Sequence, residues 1–172
     1  MGKRYSSRAP LRDEAAVREL LALMEEYNAP GRKELAAMVS QIGVLERQLD
    51  DAAKQIAAMR QELAEVRQGP VRRALLAMVH GLEKGVSALG ARLDELKAAV
   101  VDGCRRALAT VRERGISALG NVNVGAIEEF DRVNERYTYL TDQRDDVEKA
   151  KKELEDVIAD RKSTRQNSSH NT

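Results

Sequence analysis

The stretch ELAAMVSQIGVLERQLDDAAKQIAAMRQELAEV, Glu34 to Val66, decides the fold class. Leu35, Met38, Ile42, Leu45, Leu49, Ala52, Ile56, Met59, Leu63 and Val66 follow one another at alternating spacings of three and four. A 3.5-residue period keeps one apolar seam turned toward a partner along the whole length, so the stretch predicts a left-handed coiled coil. Residues 32–67 are read as one helix, and its seam covers about 48 Å at ~1.5 Å per residue.

The same period recurs downstream. Val79, Leu82, Val86, Leu89, Leu93, Leu96 and Val100 form a second run, loosening near Gly103, within a helix expected over 71–114. Gln68, Gly69 and Pro70 separate the two, a break short enough for an antiparallel hairpin. Pairing of each run with another chain is equally compatible with the pattern. Gly81, Gly85 and Gly90 weaken the second helix by up to ~1 kcal/mol each relative to Ala, or let another helix come close.

A third run, Ile127, Phe130, Val133, Tyr137, Leu140, Arg144, Val147, Lys151, Leu154 and Ile158, defines a helix over 127–159. Arg144 and Lys151 sit on its seam, where long stems can lie along apolar surface with the charge at the edge. Glu128 with Arg132, Asp145 with Lys149 and Glu148 with Lys152 are ordered for i,i+4 support. Phe130 and Tyr137 lie on the seam. Tyr139 lies off it and is the candidate for an outside contact.

Upstream, Val17, Leu20, Leu21 and Met24 mark a short helix over 13–27, with Asp13 placed to cap it and Glu14 in the first turn. Asn28 to Gly31 end it, because Pro30 removes a donor and Gly31 tolerates a turn. Residues 1–12 are polar and basic and are expected to be disordered. The fold class is therefore all-α: elongated coiled-coil helices with disordered termini.

Composition excludes several functions. Aromatics are 3% of the 172 residues, charged residues 33%, and 29 basic side chains face 28 acidic ones, so no global field favours nucleic acid. Cys104 is the single cysteine, read as a small apolar residue near a seam. His80, beside Val79, is read as a half-exposed helix residue. No phosphate-cradling glycine loop, zinc-binding His-Glu-x-x-His or thiolate cluster is present, and Glu128-Glu129 and Asp145-Asp146 lack opposed geometry for acid-base work. The chain is read as a non-enzyme without cofactor or metal. It has no apolar run near the ~20 residues a membrane span needs, so a cytoplasmic protein is expected, although Met-Gly-x-x-x-Ser at Gly2 fits a loose myristoylation pattern.

Leu119 to Ile158 resembles SMC chromosome-condensation proteins, in the segment where the returning coiled-coil arm descends to the ATPase head. Leu119, Gly120, Val122, Asn123, Ala126, Ile127, Glu128, Glu129 and Phe130 match the family's Leu-Gly-Pro-Val-Asn-x-x-Ala-Ile-Glu-Glu-Phe/Tyr motif, with Asn121 in place of Pro. Arg136, Tyr137, Leu140, Gln143, Arg144 and Asp146 match the helix that follows, with Val147 where Leu is frequent. The resemblance implies a role in chromosome partition, ATP as cofactor only in the intact family, and DNA and a kleisin as partners. Here the segment would be a fragment without the nucleotide-binding residues.

Residues 19–119 are similar to an uncharacterised Firmicutes helical family, through Asp102, Gly103 and Cys104 and Gly115 to Leu119; this resemblance implies no activity, and the heptads alone speak for helical self-association or partner binding. Asp160 to His170 resembles a translated sequencing adapter, with Gln166 for Leu. Read together, these resemblances imply a chimeric, truncated chain: two coding sequences joined near Leu119 and Gly120, and a frame ending near Ala159. The runner-up is a freestanding helical interaction protein.

Overall fold

The computed structural model describes residues 9–66, 69–119 and 127–168, with side chains of the last helix described from 128 to 162. Four helices carry the fold: α1 Ala15–Glu26, α2 Arg32–Glu65, α3 Pro70–Arg114 and α4 Ile127–Ser168, with 3-10 turns at Leu11–Asp13 and Ile116–Ala118. No strand occurs among the described residues, so the all-α reading holds. α3 alone, at 45 residues, extends about 67 Å.

The breaks fall where the punctuation puts them. At the end of α1, Asn28 takes a left-handed φ of 46°, and the Ala29 amide reaches back to the Met24 carbonyl at 2.8 Å. Gly31, φ 82°, then starts α2. Pro70 opens α3 at its first position, where its missing N–H leaves nothing unpaired. Gly115, also at φ 82°, closes α3 with its amide on the Val111 carbonyl at 2.8 Å. Asp13 does not cap α1: it belongs to the preceding 3-10 turn, and Glu14 holds the cap position without a side-chain hydrogen bond.

α2 and α3 form an antiparallel hairpin within one chain. Glu46 pairs with Lys97 and Arg60 with Glu83, so the partner's number falls as the residue number rises. The nine seam positions of α2 from Leu35 to Leu63 are buried, and so are all seven of α3 from Val79 to Val100. Arg72 ties the hairpin tip, its guanidinium donating to the Leu63 carbonyl at 2.8 Å and the Ala64 carbonyl at 3.2 Å. Those carbonyls end α2 and have no partner within the helix.

Each half of the hairpin receives one more helix. α1 lies along the second half of α3, with Glu19 2.8 Å from Arg112. The loosening near Gly103 is therefore a change of partner. Val101, Cys104 and Leu108 are buried beside the seam, on the flank that the N-terminal segment and α1 cover. α4 lies along the other half, antiparallel to α3 through Glu129 with Arg92 and Leu140 with Gly85, and parallel to α2 through Arg144 with Gln55 and Lys151 with Glu62.

Both termini depart from expectation. Leu11 is fully buried, although residues 1–12 were expected to be loose; an apolar side chain at this point closes the α1 end of the core. Residues 1–8 lie outside the described residues. α4 continues to Ser168, through most of the stretch 160–172 expected to lack order. Extending an existing helix adds one hydrogen bond per residue fixed, and no Gly or Pro interrupts it there. Glu155 to Lys162 are nevertheless exposed, so this end of α4 is helix without packing.

Candidate interaction surface on the last helix

The SMC-like segment divides around the described residues. Leu119 is buried at the end of the Ile116–Ala118 turn. Gly120, Val122, Asn123 and Ala126 lie outside the described residues, and Ile127 opens α4 with its side chain undescribed. Glu128 is exposed. Glu129 is half-buried and accepts from Arg92 at 3.4 Å and Arg132 at 3.3 Å, while Phe130 packs half-buried on the core. Arg132 thus turns to Glu129 instead of Glu128, and Asp145 takes Arg144 at 2.6 Å. Neither pairing is the i,i+4 one expected for that residue.

The inner face of α4 is built from Val133, Leu140 and Val147, all buried, with Tyr137 and Leu154 half-buried at their edges. Gly85 makes this contact possible. A β-carbon built at that glycine would stand 2.6 Å from Leu140 Cδ2, so any larger residue makes the tip of the Leu140 side chain shift. Gly81 has open space at the same test, and its role as a close-approach residue is not supported.

The two cations on the seam are held across the interface. Arg144 donates through Nη1 to Gln55 Oε1 at 2.8 Å, and Lys151 pairs with Glu62; both seam side chains are less than a fifth exposed. Seven residues separate Gln55 from Glu62, and seven separate Arg144 from Lys151. The two helices therefore share one heptad register, and each apolar stem lies on the seam with its charge satisfied at the rim. Ile158, the last seam position, is exposed beyond the hairpin.

The outer face carries Tyr139, 56% exposed, whose hydroxyl accepts from Gln143 Nε2 at 2.7 Å. Beside α4, a cleft of about 330 Å³ lies between α3 and α4, lined by Arg92, Arg132, Arg136 and Glu129 over Leu89 and Val133.

Elsewhere the chemistry is structural. Lys97 is buried, 3% exposed, and its ammonium is paired with Glu46 beneath Leu11. Nothing in the α3 heptads marks Lys97 as different from the other lysines of the chain. It is covered because the N-terminal segment lies over that flank. Cys104 is buried, and burial pushes its thiol up to about 11, away from the thiolate that reactive cysteines need. His80 lies exposed on α3, 3.6 Å from Glu83. Among the described residues, no three His, Cys, Asp or Glu side chains gather in a way that could hold a metal ion. No helix searched is long and apolar enough to cross a membrane.

Comparison with known proteins gives two kinds of similarity. The chain is 54% identical over 43 residues to the chromosome partition protein Smc of Bacillus subtilis, which covers 25% of this chain and 4% of that protein. It is 46% identical over 48 residues to Smc of Lactiplantibacillus plantarum, covering 28% and 4%. A longer match, 32% over 84 residues to Smc of Desulfitobacterium hafniense, covers 49% and 6%. The matched part is thus a small fraction of these relatives' length. No solved structure matches.

The second similarity covers residues 13–159, where the sequence pattern of a family of unknown function (DUF6674) matches. Its bounds take in Leu119 and Gly120, near which two coding sequences were expected to meet. α1, α2, α3 and the packed part of α4 fall inside one pattern, and the chain belongs to the family of unknown function DUF6674.

Proposed function

We propose that this chain is a non-catalytic, SMC-related helical module that works by helix-to-helix binding in chromosome condensation and segregation, in the cytoplasm. The observation that carries the reading is the local identity with Smc proteins, 54% over 43 residues in one case. The geometry of α4 supports it: the helix packs on its inner face and leaves Tyr139 outward, where an exposed Tyr suits a binding contact.

Under this reading the outer face of α4 receives a kleisin, and DNA is met through the assembly. The test is titration of the purified full chain with a purified bacterial kleisin, followed by fluorescence anisotropy, alongside an ATPase assay with DNA present. Binding that weakens at least about tenfold in Tyr139→Ala is expected, with no ATP turnover. Turnover above background, or kleisin binding indifferent to Tyr139, contradicts it.

A second reading, a freestanding helical interaction protein, draws on the family match across residues 13–159 and on seams buried within one chain. Absence of any kleisin binding favours that reading.

A further inference from the structure

We infer that the groove between α2 and α3 is a receptor for the Smc helix that α4 resembles, and that α4 is its built-in occupant. The inference rests on the SMC-related reading of α4 and names the partner of its inner side. Several residues that α4 shares with the SMC motif are the ones that touch the hairpin. Leu140 fits against Gly85, Arg144 donates to Gln55 at 2.8 Å, and Glu129 accepts from Arg92 at 3.4 Å. Tyr139 lies outside the motif and faces away. The groove therefore reads features that the Smc segment also carries.

The occupant is replaceable because its hold is limited. Among the described residues of α4 only Val133, Leu140 and Val147 are buried apolar side chains, against ten on α2. Two further seam positions are cations held at the rim by Gln55 and Glu62, where water competes for them. By contrast, the hairpin retains its own seam and α1 when α4 leaves. A tethered helix competes at an effective concentration of about millimolar, so if α4 itself has ~10 μM intrinsic affinity for the groove, an outside helix is suppressed about a hundredfold in the intact chain.

The test uses the full chain, its Leu140→Asp variant and its Gly85→Phe variant. The probe is a fluorescein-labelled peptide of the 43-residue Smc segment from Bacillus subtilis that aligns with this chain. Leu140→Asp is expected to bind the peptide at least about tenfold more tightly than the unmodified chain, because its own helix no longer fills the groove. Combining Gly85→Phe with Leu140→Asp is expected to remove that gain. In the unmodified chain, excess peptide is expected to raise hydrogen exchange in α4 while α1 and the α2 core stay protected, and this readout decides if Leu140→Asp does not fold.

Lack of peptide binding to a folded Leu140→Asp chain overturns the inference, as does unchanged α4 exchange. A groove that takes a peptide of this chain's residues 127–158 and refuses the Smc segment also overturns it, pointing to exchange between copies of this chain. The kleisin test reads Tyr139 on the outer face and this one reads Gly85 on the inner side, so either can fail alone.

Discussion

Removing the carboxylate of Glu46 tests whether the ion pair beneath Leu11 is buried as described. The Lys97 side chain is 4% exposed and that of Glu46 is 17% exposed. Glu46→Ala leaves an ammonium out of water with its partner gone, a change worth about 3–5 kcal/mol in buried pairs. The cleft beside Lys97, about 340 Å³, also holds Glu14 and Asp102, toward which the ammonium can swing, so the lower end near 3 kcal/mol is expected. For a chain of this length that is a fall in Tm of about 6–12 °C. Lys97→Met is milder, because the surviving carboxylate is the more exposed partner and keeps some water. The double change Glu46→Leu with Lys97→Met is expected within about 1 kcal/mol of the unmodified chain, since packed apolar groups replace such pairs at little loss. Urea titrations followed by circular dichroism at 222 nm give all three values. A loss below about 1 kcal/mol for Glu46→Ala, or a larger loss for Lys97→Met, refutes the reasoning.

Other changes separate neighbouring effects. Gly81→Ala has open space and is expected to stabilise the chain by up to about 1 kcal/mol in thermal denaturation, whereas Gly85→Ala is expected to gain less, because Leu140 must move away from the new methyl group. Arg72→Ala removes two hydrogen bonds from a cation to the end of α2 and is expected to lower stability by about 1–3 kcal/mol; Arg72→Lys is expected to recover only part, since an ammonium cannot fork. Cys104 has a folded pKa raised to about 11 from an ordinary 9.0, so its contribution is full below pH 9 and falls as pH rises toward 11, where the unfolded chain sheds the proton first. Relative to Cys104→Ala, the unmodified chain should lose stability across that window in alkaline urea titrations, and a flat difference would contradict it.

Legibility in the sequence followed the physics of each feature. The seams of α2 and α3 could be read because each repeats a local rule every seven residues, and burial follows the rule position by position. The turns at Asn28 to Gly31 and at Gly69-Pro70 could be read because Gly and Pro act through their own backbone. The seam cations Arg144 and Lys151 stood out as exceptions to a pattern, but their partners Gln55 and Glu62, 89 residues earlier, were set by how α4 docks. Lys97 and Leu11 were hidden for the same reason. One looks like any surface lysine and the other like part of a loose terminus, until α1 and the turn before it lie across α3. Among Gly81, Gly85 and Gly90, sequence offered no ground to choose, and the docked Leu140 shows that a helix approaches Gly85 while Gly81 faces open space. For Tyr139 the off-seam position was itself the signal, and its outward placement follows from the same heptads.

Docking of α4 against its own hairpin is the claim on which the rest depends, and a Gly85→Cys with Leu140→Cys pair in a Cys104→Ala background tests it most directly. The β-carbon position of residue 85 lies 3.7 Å from Leu140 Cγ, close to where a cysteine sulfur at 140 would sit, a separation that a disulfide can bridge with a small adjustment. Mild oxidation of dilute protein, followed by non-reducing electrophoresis and peptide mass mapping, is predicted to give a monomer with an 85–140 bond in nearly all molecules. Cysteines that stay free, or that join only between two chains, would contradict the account.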